Sequence, residues 1–283
     1  MYSVFRDKLT RANLMTKTCA VALLLLILLS LFAPFIAPFQ PSSQKLIYRL
    51  RPPVGMERSI PGHWLGTDEL GRDIFSRSLY ALRISIGLAF LGSVLGALLG
   101  SLLGLLAGLG EKYMDTIVMG LVDAQIAIPF TLIAVFVIAV AGTGMGILVL
   151  VLGVAYWERY ARLIRGQAMV LKESYYVEAS RSMGAGTFRV AVRHVLPNVF
   201  PSIIVMFSLN FRNIILLEST LSFLGLGIQP PAVSLGLMIA QGRDYMANAW
   251  WLVAVPSCLI VIMSLVVLVL GDWLREALDA KLY

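Results

Sequence analysis

The chain has 283 residues, of which 59% are hydrophobic and only 14% are charged. Soluble globular proteins carry about 25% charged residues, and disordered chains are poor in apolar ones, so both classes are excluded. A polytopic all-α membrane protein is the class that remains. The net charge of +7 does not indicate nucleic-acid binding, because membrane proteins concentrate Lys and Arg in their cytoplasmic loops.

Six apolar stretches follow one another along the chain, each close to the length that crosses a bilayer. They predict transmembrane helices at residues 19–39, 83–108, 114–140, 147–163, 199–221 and 250–270. An even number of spans puts both termini on one side. Most Lys and Arg residues fall on that side, which predicts cytoplasmic termini and a multi-pass inner-membrane protein.

The polar segments between these spans divide the chain into regions. We predict a cytoplasmic N-terminus at 1–18, a first transmembrane helix at 19–39, an external loop region at 40–82, a five-helix core at 83–272 that includes a cytoplasmic loop at 164–195, and a cytoplasmic C-terminus at 273–283.

Glycines recur every four residues in the second predicted span, at Gly92, Gly96, Gly100, Gly104 and Gly108. This spacing places all five on nearly one face of a helix. A face of small residues lets the backbone of another helix approach closely. We therefore predict a helix-packing surface there, with no chemical role.

Residues 164–195 form the most informative polar segment. Its pattern predicts a short amphipathic helix, a turn at Gly184 and Gly186, and a second short helix, with Pro197 marking the return into the membrane. Such an element lies flat on the cytoplasmic face. Because it is joined to two spans, it can transmit a push from a partner protein to them.

This segment resembles the signature loop of bacterial binding-protein-dependent ABC importer permeases, which reads Glu-Ala-Ala, three residues, Gly, nine residues, Ile-x-Leu-Pro. Two positions depart mildly from that pattern: Ser180 replaces the third small residue and His194 stands at the Ile position. The positions that match in type and spacing are Glu178, Ala179, Gly184, Leu196 and Pro197.

Three further segments resemble one branch of that family, the dipeptide, oligopeptide and nickel permeases. They are residues 63–73, 222–231 and 271–279. The order of these segments is that of the C-type permease subunit of the branch. The similarity extends from about residue 15 to the end of the chain, which makes the resemblance specific.

The resemblance implies a type I ABC importer permease fold and a division of labour among several chains. A second homologous permease, two cytoplasmic ATPase subunits and an external solute-binding protein are the expected partners. The sequence has no Gly-x-x-x-x-Gly-Lys-Ser/Thr phosphate loop. ATP and Mg are therefore expected on the partner ATPases, with no cofactor on this chain and no catalytic residue in it.

In such a permease the signature loop docks in a groove of the ATPase. Here the tyrosines and the methionine are apolar groups available for that groove, unless they pack on the protein's own spans. The predicted ATPase-coupling residues are Tyr175, Tyr176, Glu178, Ala179, Ser180, Met183, Gly184 and Ala185.

Polar residues inside the predicted spans are candidates for the translocation pathway, because charges in a bilayer usually face a cavity or a partner. Asp123 and Arg212 either pair with each other or line the pathway. Pro129 is expected to break or kink its helix. The pathway candidates are Asp123, Asn210, Arg212, Asn213 and Glu218.

The external loop holds a second group of charged residues. These either contact the binding protein or the solute, or tie the loop together through internal ion pairs. The residues are Asp68, Glu69, Arg72 and Asp73. His63 beside Trp64 has no further ligands at a metal-binding spacing, so we expect it to be structural, and no metal site is predicted.

Two other classes of function stay open at this stage. The charged residues inside the spans suit an ion-coupled secondary transporter, although no inverted repeat relates the two halves of the sequence. A membrane scaffold or enzyme has weaker support, because no Ser/His/Asp arrangement, HExxH motif or carboxylate pair stands out. The transported solute cannot be read from the sequence.

Overall fold

The computed structural model describes residues 13–279, and it describes side chains as far as Leu278. Within these residues the regular structure is helical and no β-strand forms. Of the predicted cytoplasmic termini at 1–18 and 273–283, residues 1–12 and 280–283 lie outside the described residues. The all-α membrane fold is confirmed, and several helix boundaries differ from those predicted.

Four helical segments are long and apolar enough to cross a membrane, and a fifth span arises if one bent pair of helices counts as a single span. The four segments are Leu14–Leu31, Ile74–Leu109, Thr187–Phe223 and Trp251–Leu278. The number of spans therefore reaches four or five by this criterion. Six spans with both termini in the cytoplasm stays a prediction.

The first helix of the described residues is α1 (Leu14–Leu31), which starts and ends earlier than the predicted first span. A single turn, α2 (Ala33–Ile36), follows, with Pro34 in its first turn, where the missing N–H of proline costs nothing. The external loop then runs to residue 73 with one 3₁₀ turn at Leu46–Tyr48.

The second predicted span is the longest helix, α3 (Ile74–Leu109), with 36 residues. It begins nine residues before the predicted boundary at residue 83, because Asp73 caps it by accepting a hydrogen bond from the Ser76 N–H at 2.8 Å. At 1.5 Å per residue α3 is about 54 Å long, well beyond a hydrocarbon core of about 30 Å. It therefore extends out of the membrane.

The third predicted span is broken into α4 (Lys112–Ala127) and α5 (Phe130–Ala141), whose axes meet at 92°. Ile128 and Pro129 lie at the break. Proline lacks the N–H that would continue the helix, and it forces the residue before it into an extended conformation. Ile128 accordingly has φ −111° and ψ 130°, so the predicted break at Pro129 is present.

The fourth predicted span, 147–163, is also two helices, α6 (Met145–Val154) and α7 (Trp157–Lys172). The prediction of one helix ending at residue 163 is wrong, because α7 continues into the polar segment as far as Lys172. Two short helices follow, α8 (Tyr175–Ser182) and α9 (Thr187–Val190).

A π-helical turn at Ala191–Val195 leads without a break into α10 (Leu196–Phe223), which contains the predicted fifth span. Residues 224–250 then form the second segment that is predicted to be external, which includes α11 (Leu235–Gly242). The last helix is α12 (Trp251–Asp279), eight or nine residues longer at its C-terminal end than the predicted sixth span.

The helices pack around α3, which lies against α6, α7 and α10. The main buried core joins α3 to α6, α10, α11 and α12. A smaller core lies at the other end of α3 and is formed with α7, α10 and the segment between them. This second core positions the predicted coupling loop.

The predicted glycine face of α3 lies directly on α6 and α7. A Cβ atom added at Gly92 would lie 2.9 Å from Leu152 Cβ, and one at Gly96 would lie 2.9 Å from the Gly153 carbonyl oxygen. Farther along, a Cβ at Gly104 would lie 2.6 Å from the Ala161 carbonyl oxygen. Gly100 and Gly108 are equally close to α7. The two backbones meet at distances that admit no side chain on α3.

The glycine contact predicts a loss of stability when a methyl group is added. Replacing Gly104 with alanine should lower the free energy of unfolding by about 1–3 kcal/mol, because the methyl must displace the backbone of α7. The measurement is the thermal midpoint of the purified protein in detergent.

Gly87→Ala is the matched control for this variant. Gly87 lies on the same helix, and no atom lies within 4 Å of a Cβ added there. This variant should be as stable as the wild type or slightly more so, because alanine favours helix. Equal midpoints for both alanine variants would contradict the packing role of the glycine face.

Candidate functional site

Apolar side chains of the predicted coupling loop, residues 164–195, pack against the neighbouring helices. Val177 of α8 is fully buried, as are Val190 and Val195 in the segment that follows. They pack in one cluster with Leu109 of α3 and Ile164 of α7. The loop is thus held by the ends of the long helices, and a force applied to α8 reaches them directly.

The turn after α8 depends on Gly184. This residue has φ +86°, in the region that only glycine adopts without strain. Its N–H donates to the Arg181 carbonyl at 2.8 Å, and the Ala185 N–H donates to the Ser180 carbonyl at 3.1 Å. These two bonds form a Schellman motif, which ends α8 and starts the chain towards α9.

The two departures from the family pattern contact each other. Ser180 Oγ lies 3.1 Å from His194 Nε2. The Tyr176 ring also packs on His194, with 5.9 Å between ring centroids. His194 therefore ties α8 to the π-helical turn before α10. Sequence reasoning treated the two departures separately and missed this pairing.

Large apolar side chains project from the same loop. Tyr175 is 92% exposed, and Met183 and Phe188 are each 82% exposed. Tyr176 is about half exposed. Phe188 was not among the predicted residues, although an apolar residue so soon after the Gly186 turn was a usable signal. The open alternative, in which these groups pack on the protein's own spans, does not hold for Tyr175 and Met183.

The polar members of the loop are exposed as well. Glu178 and Ala179 face outward on α8, while Ser180 is largely buried and Ala185 is half-buried. Among the described residues Glu178 has no ion-pair partner. Its carboxylate is therefore available to a group outside this chain.

The pathway candidates do not form one cluster. Asp123 pairs with Arg162 at 2.8 Å, and both side chains are more than half exposed. Arg212 instead points to Asn213, with Nη2 3.5 Å from Oδ1. The ion pair of Asp123 is therefore with α7, and the suggested pairing with Arg212 is wrong.

The polar residues of α10 divide between two faces. Asn210 and Glu218 are fully buried inside this chain. Arg212 and Asn213 are half-exposed on another side of the helix. The expectation that all four line one pathway needs correction, because helical periodicity separates them. Arg212 and Asn213 stay candidates for the pathway.

Internal ion pairs hold the external loop together. Asp68 Oδ2 accepts from Arg72 Nε at 2.6 Å and lies 3.2 Å from Arg77 Nη1. Arg72 also donates to Glu69 at 2.7 Å. Burial, with the charge of neighbouring Asp68, raises the pKa of Glu69. These charged residues were predicted either to contact the binding protein or the solute, or to form ion pairs within the loop. The structure shows the ion pairs within the loop.

Asp73 and His63 complete this cluster. Asp73 caps α3 and accepts from His63 Nδ1, 2.9 Å away. The His63 ring stacks on Phe39 with 4.5 Å between centroids. His63 is thus a packed, hydrogen-bonded residue. No group of three or more possible metal ligands occurs among residues 13–279.

Comparisons with known proteins agree with this architecture. Residues 100–282 match the family model described as the binding-protein-dependent transport system inner membrane component. Residues 11–53 match the N-terminal transmembrane domain of oligopeptide transport permease C. The chain belongs to the family of binding-protein-dependent transport permeases and is a permease subunit of an ABC importer in the bacterial inner membrane.

Curated relatives of this chain within the family include permeases named for peptide transport. The chain is 40% identical over 260 residues to the di/tripeptide transport system permease protein DppC of Pseudomonas aeruginosa, covering 92% of this chain and 86% of that one. It is 38% identical to the dipeptide permease DppC of Haemophilus influenzae, covering 93% and 89%. Identity to the glutathione permease GsiD of Pectobacterium atrosepticum is also 38%, covering 92% and 84%.

A solved structure supports the fold. An inward-facing structure of the MetNI methionine ABC transporter matches with a TM-score of 0.59, covering 71% of this chain and 96% of that one. The sequence identity is 19%, so this likeness shows the fold alone. It confirms the predicted type I importer permease fold.

The ion cluster predicts that Asp68 stabilises the external loop. Asp68→Asn keeps an acceptor for the neighbouring backbone N–H groups but leaves two buried arginines short of a counter-charge. We expect the folded loop to lose about 3 kcal/mol of stability, as when a buried ion pair is broken. The measurement is the rate at which a protease cleaves the loop in spheroplasts, and this rate should rise.

Glu57→Gln is the control for that variant. Glu57 is an exposed acid of the same loop and has no ion-pair partner among the described residues. Its replacement should leave the cleavage rate unchanged. If both variants resist the protease as the wild type does, the stabilising role of the cluster is wrong.

Proposed function

We propose that this chain forms one half of the translocation pathway of an ATP-driven importer of peptides or peptide-like solutes. The other half is a second homologous permease, and an extracytoplasmic solute-binding protein delivers the solute. The names of the relatives support a peptide class: di/tripeptides, dipeptides and glutathione. A nickel complex or an opine belongs to the same branch and is the alternative cargo.

The coupling loop is the observation that carries this proposal. Tyr175 and Met183 expose large apolar surfaces on a segment between the long apolar helices, and Phe188 exposes another at the start of the segment Thr187–Phe223. Water contact with such surfaces is unfavourable by about 25 cal/mol per Å², so a cluster of them favours a protein partner. The buried apolar cluster that includes Val177 of α8 connects a partner bound at α8 to α3, α7 and α10.

The partner at this loop is an ATPase subunit, with two such subunits in the complete importer. They bind ATP and Mg and carry out the hydrolysis. This chain binds no cofactor and contributes no catalytic residue. Glu178 supplies the one negative charge in the first turn of α8, and it suits a basic residue in the ATPase groove.

The pathway face of this half is the half-exposed side of α10 that carries Arg212 and Asn213. An arginine inside a membrane is costly unless it faces water or an anion. Among the described residues no carboxylate lies within ion-pair distance of Arg212. A polar pathway between the two permeases gives this guanidinium the hydration that lipid denies it.

Loss of the exposed side chains should separate the ATPases from this chain. In the double variant Tyr175→Ser, Met183→Ser, we expect roughly a tenfold lower yield of co-purifying ATPase, because two anchoring side chains are lost. The chain is tagged in its native cell, extracted in mild detergent, and its partners are identified by mass spectrometry.

Tyr113→Ser is the matched control, because Tyr113 is a 73% exposed tyrosine at the start of α4, outside the loop but on the same predicted side. This variant should recover the second permease and the ATPases like the wild type. Recovery of the wild-type chain alone, where a reference importer stays intact, would overturn the proposed function.

A further inference from the structure

Glu218 is a carboxylate sealed inside the membrane part of the chain. It is fully buried, and no cationic side chain of the described residues lies within ion-pair distance of it. Its partners are serine hydroxyls. Ser222 Oγ donates to Oε1 at 2.7 Å, and Ser85 Oγ of α3 donates to Oε2 at 3.2 Å.

These hydroxyls connect Glu218 to the first turn of α11. The Leu235 N–H donates to Ser85 Oγ at 3.3 Å. On the other side, the Leu237 N–H donates to Ser234 Oγ at 3.3 Å, and Ser234 Oγ donates to Ser222 Oγ at 3.2 Å. A backbone N–H can only donate, so Ser85 Oγ and Ser234 Oγ accept from α11 and direct their own protons towards Glu218. Both series of hydrogen bonds therefore end on the Glu218 carboxyl group.

The network joins three elements at one point. The N-terminus of α11 carries the positive end of a helix dipole, which complements the acidic group on which both hydroxyl chains converge. The backbones are also close, since a Cβ added at Gly236 would lie 2.6 Å from the Ser219 carbonyl oxygen. α11 is therefore seated directly on α10.

α11 is in turn part of a larger unit, here called the external layer, which consists of the loop at residues 40–73, α11 and the start of α12. Arg77 of α3 bridges two parts of the layer, because its Nη1 lies 3.2 Å from Asp68 Oδ2 of the loop and its Nη2 donates to Gln241 of α11 at 2.8 Å. Trp251 Nε1 of α12 donates to the Thr67 carbonyl of the loop at 3.2 Å. These bonds tie the layer together.

The same helix that carries Glu218 begins at the coupling loop. α10 runs without a break from Leu196, directly after the π-helical turn, to Phe223. The distance along the axis from Leu196 to Glu218 is about 33 Å at 1.5 Å per residue. One continuous helix, with Pro201 inside it, thus connects the coupling loop with the external layer.

We propose that Glu218 is the positioning residue that fastens the external layer to α10, so that the arrival of the binding protein outside is sensed by the ATPases inside. This inference rests on the proposed function and assigns a role to a residue that touches neither solute nor nucleotide. Ser85, Ser222 and Ser234 are the groups through which Glu218 acts.

The test compares variants in the importer purified with its own partner subunits and reconstituted in vesicles. ATPase activity is measured with and without the solute-loaded binding protein. In Ser85→Ala and Glu218→Gln, we expect the ratio of stimulated to basal activity to fall about tenfold, the change that loss of one buried hydrogen bond corresponds to. Basal activity and co-purification of the partners should stay at the wild-type level.

Ser208→Ala is the matched control, because Ser208 lies on the same helix and, among the described residues, its hydroxyl bonds only to the Val205 carbonyl of that helix. Gly236→Val is a second way to separate α11 from α10 without removing a polar group, because a Cβ there would lie 2.6 Å from the Ser219 carbonyl oxygen, and it should lower the ratio as well.

The outcomes separate this inference from the proposed function. A wild-type complex whose ATPase does not respond to any binding protein contradicts the proposed function. A responsive wild type with equally responsive Ser85→Ala and Glu218→Gln variants overturns the fastening role alone. The same role is overturned if basal activity or assembly falls in parallel with the ratio in Ser85→Ala, because that shows a folding role.

Discussion

The close backbone contact between α3 and the α6–α7 pair sets the positions of the helices around it. Glycines at every fourth position remove the side chains that would hold these helices apart. In a lipid environment, where apolar burial gives little driving force between helices, such close packing supplies the attraction. One end of α3 carries the Asp73 cap and the ion cluster of the external loop, and the other end places Leu109 under the coupling loop. The two faces of the protein are therefore built on one long helix.

A second continuous helix, α10, connects the same two faces. At its start the π-helical turn packs with Val177 of α8, and near its end Glu218 receives the hydroxyl chains from α11. Movement imposed on α8 is therefore delivered to a helix that is bonded to the external layer. The half-exposed side of α10 carries Arg212, so the helix that links the two faces also presents polar groups to the proposed pathway.

Local and periodic features of this protein were predictable from the sequence. The glycine spacing, the Gly184 turn and the break at Pro129 each follow from the stereochemistry of single residues. Features that depend on partners distant in sequence were not predictable. Asp123 pairs with Arg162 rather than Arg212, and Glu218 is sealed by serines, one of them on α3. The fourth span was misjudged because its predicted range joined the apolar helix α6 to the first residues of the charged helix α7, which continues to Lys172.

In the proposed function, this chain passes a solute in response to ATP hydrolysis by other subunits. The most direct measurement is uptake of a labelled dipeptide by vesicles that contain the assembled importer and its binding protein, under two conditions. One condition supplies ATP with all ion gradients collapsed by ionophores, and the other supplies ion gradients without ATP. We expect uptake in the first condition and none in the second. Uptake driven by ion gradients alone, with no requirement for ATP, would contradict the proposed function and indicate a secondary transporter.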